Sequence, residues 1–169
     1  IKNKFINFFK IDRNVETIFN LADSIGVKIW IVGGALRDYL TNEIVNDIDF
    51  VINEDIKRFL KEISKSNIRV NDAYIKYKTI SLIINEKEYH ITSLRKDLVS
   101  FGRSALVDNV YSLKEDVKRR DFTINSLYLD TKGNLIDLFN GKHDINKRKL
   151  AFIGDPIKSI EEDYLRIIR

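Results

Sequence analysis

Residues 29–52 read IWIVGGALRDYLTNEIVNDIDFVI, and the punctuation of this stretch decides what fold the chain can adopt. The apolar run from Lys28 to Val32 reads as a buried strand, and Gly33-Gly34 ends it. Ala35 to Leu40 follow as a short helix, Thr41-Asn42 turn the chain, and Asp47 to Ile52 alternate as a second strand. Upstream, Val15, Ile18, Phe19, Ala22 and Ile25 recur at helical spacing between a capping Asp12 and a stopping Gly26, which predicts an amphipathic helix over 13–25. The basic start, IKNKFINFFKIDRN, reads as the approach to that helix. Downstream, Asn53 is placed to cap a further helix with Ile56, Phe59, Leu60 and Ile63 on its apolar face.

From Ile68 to Leu94 the pattern is β-rich, and YIKYKTISLII and YHITSL are expected to pair as a hairpin across Asn85-Glu86-Lys87. Residues 95–112 show no clean period. Strands resume over Thr123 to Leu129, turn at Asp130 to Asn134 and return through Leu135 to Phe139. Pro156 then opens a terminal helix, with Ile157, Ile160, Tyr164 and Ile167 or Ile168 on one face, expected to run to the last residue. Helices interleaved with a mostly antiparallel, hairpin-linked sheet make an α+β domain.

Composition narrows the class. The chain has 169 residues, 29 Lys+Arg against 25 Asp+Glu, one Pro, and no Cys or Met. With 44% hydrophobic residues it is expected to fold as one soluble globular domain, with a core large enough to carry a cleft. Thiol catalysis, zinc-cysteine sites and disulfide scaffolds are excluded. The longest near-apolar stretch, Ile29 to Leu36, is far short of the roughly 20 residues that span a bilayer, so no membrane role is expected and cytoplasm is the default location. The lack of an initiating Met reads as a chain cut from a longer product. A net charge of +4 is mild, but Arg95 to Arg120 hold seven basic residues against four acidic ones.

Four constellations carry chemistry. On a strand, residues two apart share a face, so Asp47 and Asp49 project together while Ile48, Phe50 and Ile52 face the core. Adjacent carboxylates repel, and a hard cation such as Mg²⁺ relieves them; alone, the same pair also fits an ordinary strand surface. Gly33-Gly34, between a strand and a helix, offers backbone N–H groups where no Cβ blocks the approach of a phosphate. Arg37, one turn on, can reach a triphosphate oxygen, with Asp38 orienting it. Joined to two metal-binding carboxylates one strand away, these parts suffice for nucleotidyl transfer. Arg120 and Asp121, entering the strand from Phe122, suit a phosphate and a ribose hydroxyl, and equally a solvated edge. Glu162, Asp163, Arg166 and Arg169 form a stripe on the terminal helix. It fits ordinary helical ion pairs, or a carboxylate beside an arginine that matches the edge shared by cytosine and adenine. His90, in a strand, and His143, in a polar loop, read as structural or solvated.

Taken together, IVGGALRDYL, DIDFVI, the SLRKD and GR pieces, KEDVKRRDFTINSL, DLFNGKHDI and EEDYLRIIR, in this order, resemble the class II tRNA nucleotidyltransferase and bacterial poly(A) polymerase family of polymerase-beta-like nucleotidyltransferases. The resemblance implies a head domain over 1–150, built on a mostly antiparallel five-stranded sheet with flanking helices, and the start of a truncated helical neck over 151–169. It implies that Asp47 and Asp49 bind Mg²⁺. Gly33, Gly34 and Arg37 would hold the triphosphate, Arg120 with Asp121 the phosphate and ribose, and Asp163 with Arg166 the base edge. Arg169 falls where the family uses a further nucleotide-contacting arginine. Asp97 to Asn109 resembles the flexible loop that CCA-adding members use when switching from C to A. Many relatives carry an acidic residue where this chain has His90, and members continue past Arg169 into neck, body and tail domains that grip tRNA. The implied activity is template-independent addition of CCA to tRNA 3′ ends from CTP and ATP. The alternatives are an A-adding or poly(A)-forming enzyme of the family, or a head that binds nucleotide or RNA without catalysis.

Overall fold

The computed structural model describes residues 2–101 and 104–168. The basic start is itself a helix, α1 (Lys2–Lys10), rather than an approach to one; Phe5 and Phe9 are buried in the main core, and Phe8 packs on Tyr39 with ring centroids 4.6 Å apart. Next come α2 (Arg13–Ser24), β1 (Ile29–Val32), α3 (Gly34–Thr41), β2 (Asp49–Ile52) and α4 (Ile56–Ile63). Asp12 caps α2 by accepting from the Asn14 N–H, and Val15, Ile18, Phe19 and Ala22 are buried along it. Asp55, not Asn53, caps α4: its carboxylate accepts from the Lys57 and Arg58 N–H groups, while the Asn53 side chain accepts from the Lys28 N–H.

Then follow β3 (Arg69–Asn71), β4 (Thr79–Ile84), β5 (Lys87–Ser93), β6 (Arg95–Phe101), β7 (Ser104–Asn109), α5 (Leu113–Asp116), β8 (Leu127–Asp130), β9 (Leu135–Asp137), α6 (Gly141–Asn146) and α7 (Pro156–Glu162). The β4–β5 turn is tight because Asn85 and Glu86 both take positive φ.

The main sheet has seven described strands in the order β3-β4-β5-β2-β1-β8-β9, not the five expected. The short strands β3 and β9 extend it at its two edges. Pairing is antiparallel except between β2 and β5, which run parallel. Ile31, Phe50, Ile80, Leu82, Ile91 and Leu129 pack from one face against the helices. From the other face Val32, Val51 and Tyr128 meet Leu94, Val117 and Ile153 in a second, smaller cluster.

Three further expectations need correction. Within the stretch without a clean period, β6 (Arg95–Phe101) and β7 (Ser104–Asn109) pair as a separate two-stranded ribbon whose register slips between Asp97 and Val99, which explains why no period is legible there. The strand expected from Thr123 begins only at Leu127, because Thr123–Asn125 form a 3₁₀ turn tied by Ser126 Oγ donating to the Thr123 carbonyl (2.7 Å). The terminal helix does not run to the last residue: Asp163 is extended (φ −153°, ψ 99°), and its side chain accepts from the Leu165 N–H, starting a 3₁₀ turn over Tyr164–Ile167. Among the described residues no helix is long and apolar enough to cross a membrane.

Candidate active site

The site is built at one end of the main sheet, where β1 stops, β2 begins and β8 enters. Gly33 has φ 71° and ψ −130°, a conformation that only glycine adopts without strain. It turns the chain out of the sheet and opens α3, so the first N–H groups of that helix are presented at the end of the central strands. The same departure explains a difference from the sequence reading of the two aspartates. Val32 pairs with Asp49, and with Gly33 already leaving, nothing on β1 remains to pair with Asp47. Asp49 therefore opens β2 and Asp47 lies in the extended segment before it, both exposed to solvent. The Asp49 carboxyl is pushed above its ordinary value, first by the protein atoms crowding it and also by the charge of Asp47, while His90 and Arg120 pull it down. Two such oxygen donors fit one hard divalent cation. Among the described residues no group of three or more His, Cys, Asp and Glu forms a metal cage.

Two arginines flank the glycine turn. A Cβ placed on Gly33 would lie 3.7 Å from Arg120 Nη1, and one placed on Gly34 would lie 3.5 Å from Arg37 Nη2. Arg37 is held from both sides: Nε donates to Asp38 Oδ1 (2.9 Å) and Nη1 to Asn125 Oδ1 (2.7 Å). Asn125 in turn donates to Asp121 Oδ1 (3.1 Å), which also accepts from the Phe122 N–H, so the buried Asp121 organises this corner from within.

Arg120 is fixed more tightly still. Its Nη2 donates to Asp116 Oδ2 (3.1 Å) and its Nε to the Tyr128 hydroxyl (3.0 Å), and the guanidinium lies 4.9 Å from the Tyr128 ring centroid. Asp116 is fully buried and also accepts from Arg119 Nε (2.9 Å) and Tyr128 Oη (2.9 Å). Burial alone would raise its carboxyl; the two guanidinium groups overcome this and hold it at about 2. Burial opposes the charge on Arg120 too, and Asp116 more than offsets it, so that pKa is raised. The Tyr128 hydroxyl, buried and against Asp116, is likewise pushed up. Arg120 thus stays charged and rigid, as preorganised recognition of phosphate requires.

The structure brings Asp47, Asp49, Gly33, Gly34, Arg37, Arg120 and Asp121 to one sheet end. Asp163 and Arg166 have partners in their own segment: Arg166 Nη1 donates to the Ser159 carbonyl (2.8 Å), to Ser159 Oγ (2.6 Å) and to Glu162 (3.2 Å). The extended Asp163 breaks the single helical stripe expected of them. That segment follows Phe152, whose backbone bridges Phe122 beside the site. Arg169 and the Gly102-Arg103 pair lie outside the described residues. Sequence reasoning missed Asp116, Asn125, Tyr128 and Gly141. The i,i+3 and i,i+4 spacing of Asp116 with Arg119 and Arg120 was a usable signal; nothing local marked Asn125. Gly141 opens α6 so close that a Cβ there would meet the Thr123 carbonyl oxygen at 2.1 Å, and Asp144 of the same helix accepts from Thr123 Oγ1 (2.7 Å). Helix α6 therefore braces the turn that presents Asn125.

An α+β sheet with two leading carboxylates beside an arginine-flanked glycine turn defines a head of the polymerase-beta-like nucleotidyltransferase kind. The chain belongs to the poly A polymerase head domain family, whose model matches residues 29–151. It is 37% identical over 149 residues to the CCA-adding enzyme of Enterococcus faecalis, covering 85% of this chain and 35% of that protein. It is 39% identical over 140 residues to the human CCA tRNA nucleotidyltransferase 1, mitochondrial, covering 82% and 32%. The crystal structure of the Bacillus stearothermophilus CCA-adding enzyme in complex with CTP superimposes with a TM-score of 0.79 at 30% identity, over 90% of this chain and 36% of that one. The chain thus spans about a third of the length of these relatives.

Proposed function

We propose that this chain is the catalytic head of a CCA-adding tRNA nucleotidyltransferase, with residues 1–150 forming the head and 151–169 beginning a helical neck. The observation that carries the reading is the juxtaposition of Asp47 and Asp49 with a glycine turn flanked by Arg37 and Arg120, in a chain similar to enzymes named for this activity. In this reading the Gly33-Gly34 turn, Arg37 and Arg120 hold the triphosphate of CTP or ATP. Asp121 sets the ribose corner. Asp163, Arg166 and Arg169 serve the base edge. Asp47 and Asp49 would hold Mg²⁺, which supplies charge neutralisation at the α-phosphate and the leaving group. The 3′-terminal ribose oxygen of tRNA bonds to the α-phosphorus, the bridging P–O bond breaks, pyrophosphate leaves with the electron pair, and the hydroxyl proton is released to water. The chain's own contribution is positioning and fixed positive charge, which suits a transfer that needs little covalent help. In the same reading the enzyme works on tRNA in the cytoplasm.

The test is incubation of the chain with Mg²⁺ and labelled CTP, ATP or both, on tRNA ending before, within and after CC, read at single-nucleotide resolution. Completion to CCA and no further is expected. Long A tails would assign poly(A) synthesis instead. Absence of transfer, even with the downstream sequence of a relative appended, would leave a nucleotide-binding head and refute the catalytic reading.

A further inference from the structure

The register of the main sheet places one row of residues side by side across six strands. Ser81 of β4 pairs with His90 of β5, and the parallel pairing of Phe50 with Ile91 sets His90 next to Asp49 of β2. Asp49 pairs with Val32 of β1, Val32 with Tyr128 of β8, and Tyr128 with Ile136 of β9. Directly paired residues share a face, and neighbouring strands lie about 4.8 Å apart. The row therefore reads, in space, Ser81, His90, Asp49, Val32, Tyr128, Ile136. The residues that grip phosphate, Gly33 with Arg120 on Tyr128, all lie on the β1 and β8 side of the carboxylates. On the β5 side stands His90, exposed, next to Asp49 in the row, and with Nδ1 2.9 Å from the Oγ of fully buried Ser81.

Displacement at phosphorus is in line: the attacking oxygen arrives opposite the departing pyrophosphate. With the triphosphate tail drawn toward β1 and β8, and the α-phosphate over the carboxylates, the acceptor must come in from β5. We propose that His90, held at Nδ1 by Ser81, is the positioning residue for the acceptor, its Nε2 hydrogen-bonding the 3′-terminal ribose hydroxyls of the RNA. This rests on the nucleotidyl-transfer reading and adds the direction from which RNA enters.

The chain contains two histidines, His90 and His143, so ¹⁵N-histidine labelling reads the site cleanly. An unreacted RNA ending in CC, added without nucleotide, is expected to shift the His90 imidazole signals and leave those of His143 in place. The same RNA with a 2′,3′-dideoxy terminus should lose most of that shift, and CTP with Ca²⁺ alone should cause little. In kinetics, His90→Ala should raise KM for RNA about fivefold, the scale of one lost hydrogen bond, with CTP affinity retained. His90→Gln should rescue more than His90→Asn, since the Gln amide nitrogen reproduces Nε2 and the Asn nitrogen reproduces Nδ1. A His90 signal that answers to CTP as strongly as to RNA, or equal loss of CTP and RNA affinity in His90→Ala, overturns the assignment. Lack of nucleotide transfer by the unsubstituted chain, even with the downstream sequence of a relative appended, refutes the enzymatic reading instead, whereas a transferring chain whose His90 ignores RNA refutes this assignment alone.

Discussion

Asp116→Asn tests whether the buried carboxylate, rather than the exposed ones, holds the nucleotide-binding half of the site together. The side chain is fully buried, and folding lowers its pKa from 3.8 to about 2. At about 1.4 kcal/mol per tenfold change, the ionised form stabilises the fold by about 2 kcal/mol. The same substitution leaves Arg119 and Arg120 without their shared counter-charge, and breaking a buried pair costs about 3–5 kcal/mol, so the two figures together set an expected loss of about 2–5 kcal/mol in urea unfolding at pH 7. The pH dependence has a definite sign. A carboxyl whose pKa is depressed by folding contributes fully above its unfolded value of 3.8, and the contribution fades as pH falls toward about 2. The gap between native and variant should therefore be flat from pH 7 to pH 5 and fall by about half by pH 3. CTP affinity, followed by calorimetry at a temperature where both proteins are folded, should drop about tenfold because Arg120 is no longer aimed. A variant within about 0.5 kcal/mol of native with unchanged CTP affinity would refute the argument.

Other expectations follow from the same geometry. Asp47→Ala or Asp49→Ala should abolish transfer with little loss of stability, since both residues are exposed; retained transfer in either would remove the metal assignment. Because the Asp49 carboxyl is raised in the fold, Asp49→Asn should be at least as stable as native at pH 7 without divalent cation, and Mg²⁺ should raise the melting temperature of native protein only. In Gly141→Ala the new Cβ would meet the Thr123 carbonyl oxygen at 2.1 Å, so the turn bearing Asn125 must shift. Thermal unfolding should show a loss of about 1–3 kcal/mol, with weaker CTP binding through Arg37. Substituting Asp163 or Arg166 should change the preference between CTP and ATP more than the rate, and an unchanged preference in competition assays would exclude a role at the base edge.

What could be read from the sequence had local causes. The strand-glycine-helix passage at Gly33, the apolar faces of α2 and α4, and the hairpin turning at Asn85-Glu86 each follow from a few adjacent residues. The errors have non-local causes or arise from competing side-chain bonds. Asp47 looks like strand by alternation, but a strand needs a partner and Gly33 removes it. Asp163 sits inside a helical period, but its carboxylate finds the Leu165 N–H and breaks the helix. Thr123 is β-branched yet lies in a 3₁₀ turn, braced by an α6 helix that starts at Gly141. The residues presumed to touch phosphate were legible as motif positions. Their supports, Asp116, Tyr128 and Asn125, were not, because support depends on which segments meet in space.

The pairing of β1 also has a consequence for how the domain is made. Trp30 on this early strand is matched with Asp130, a hundred positions later, and Ile31 with Leu129. A chain emerging in order of synthesis exposes Asp47 and Asp49 long before Arg120 and Tyr128 exist to complete the phosphate grip. Closing so long a loop is among the slower events available to a folding chain. Nucleotide should therefore be no help to the nascent chain through most of its synthesis, and its stabilising effect should switch on only once β8 has docked against β1.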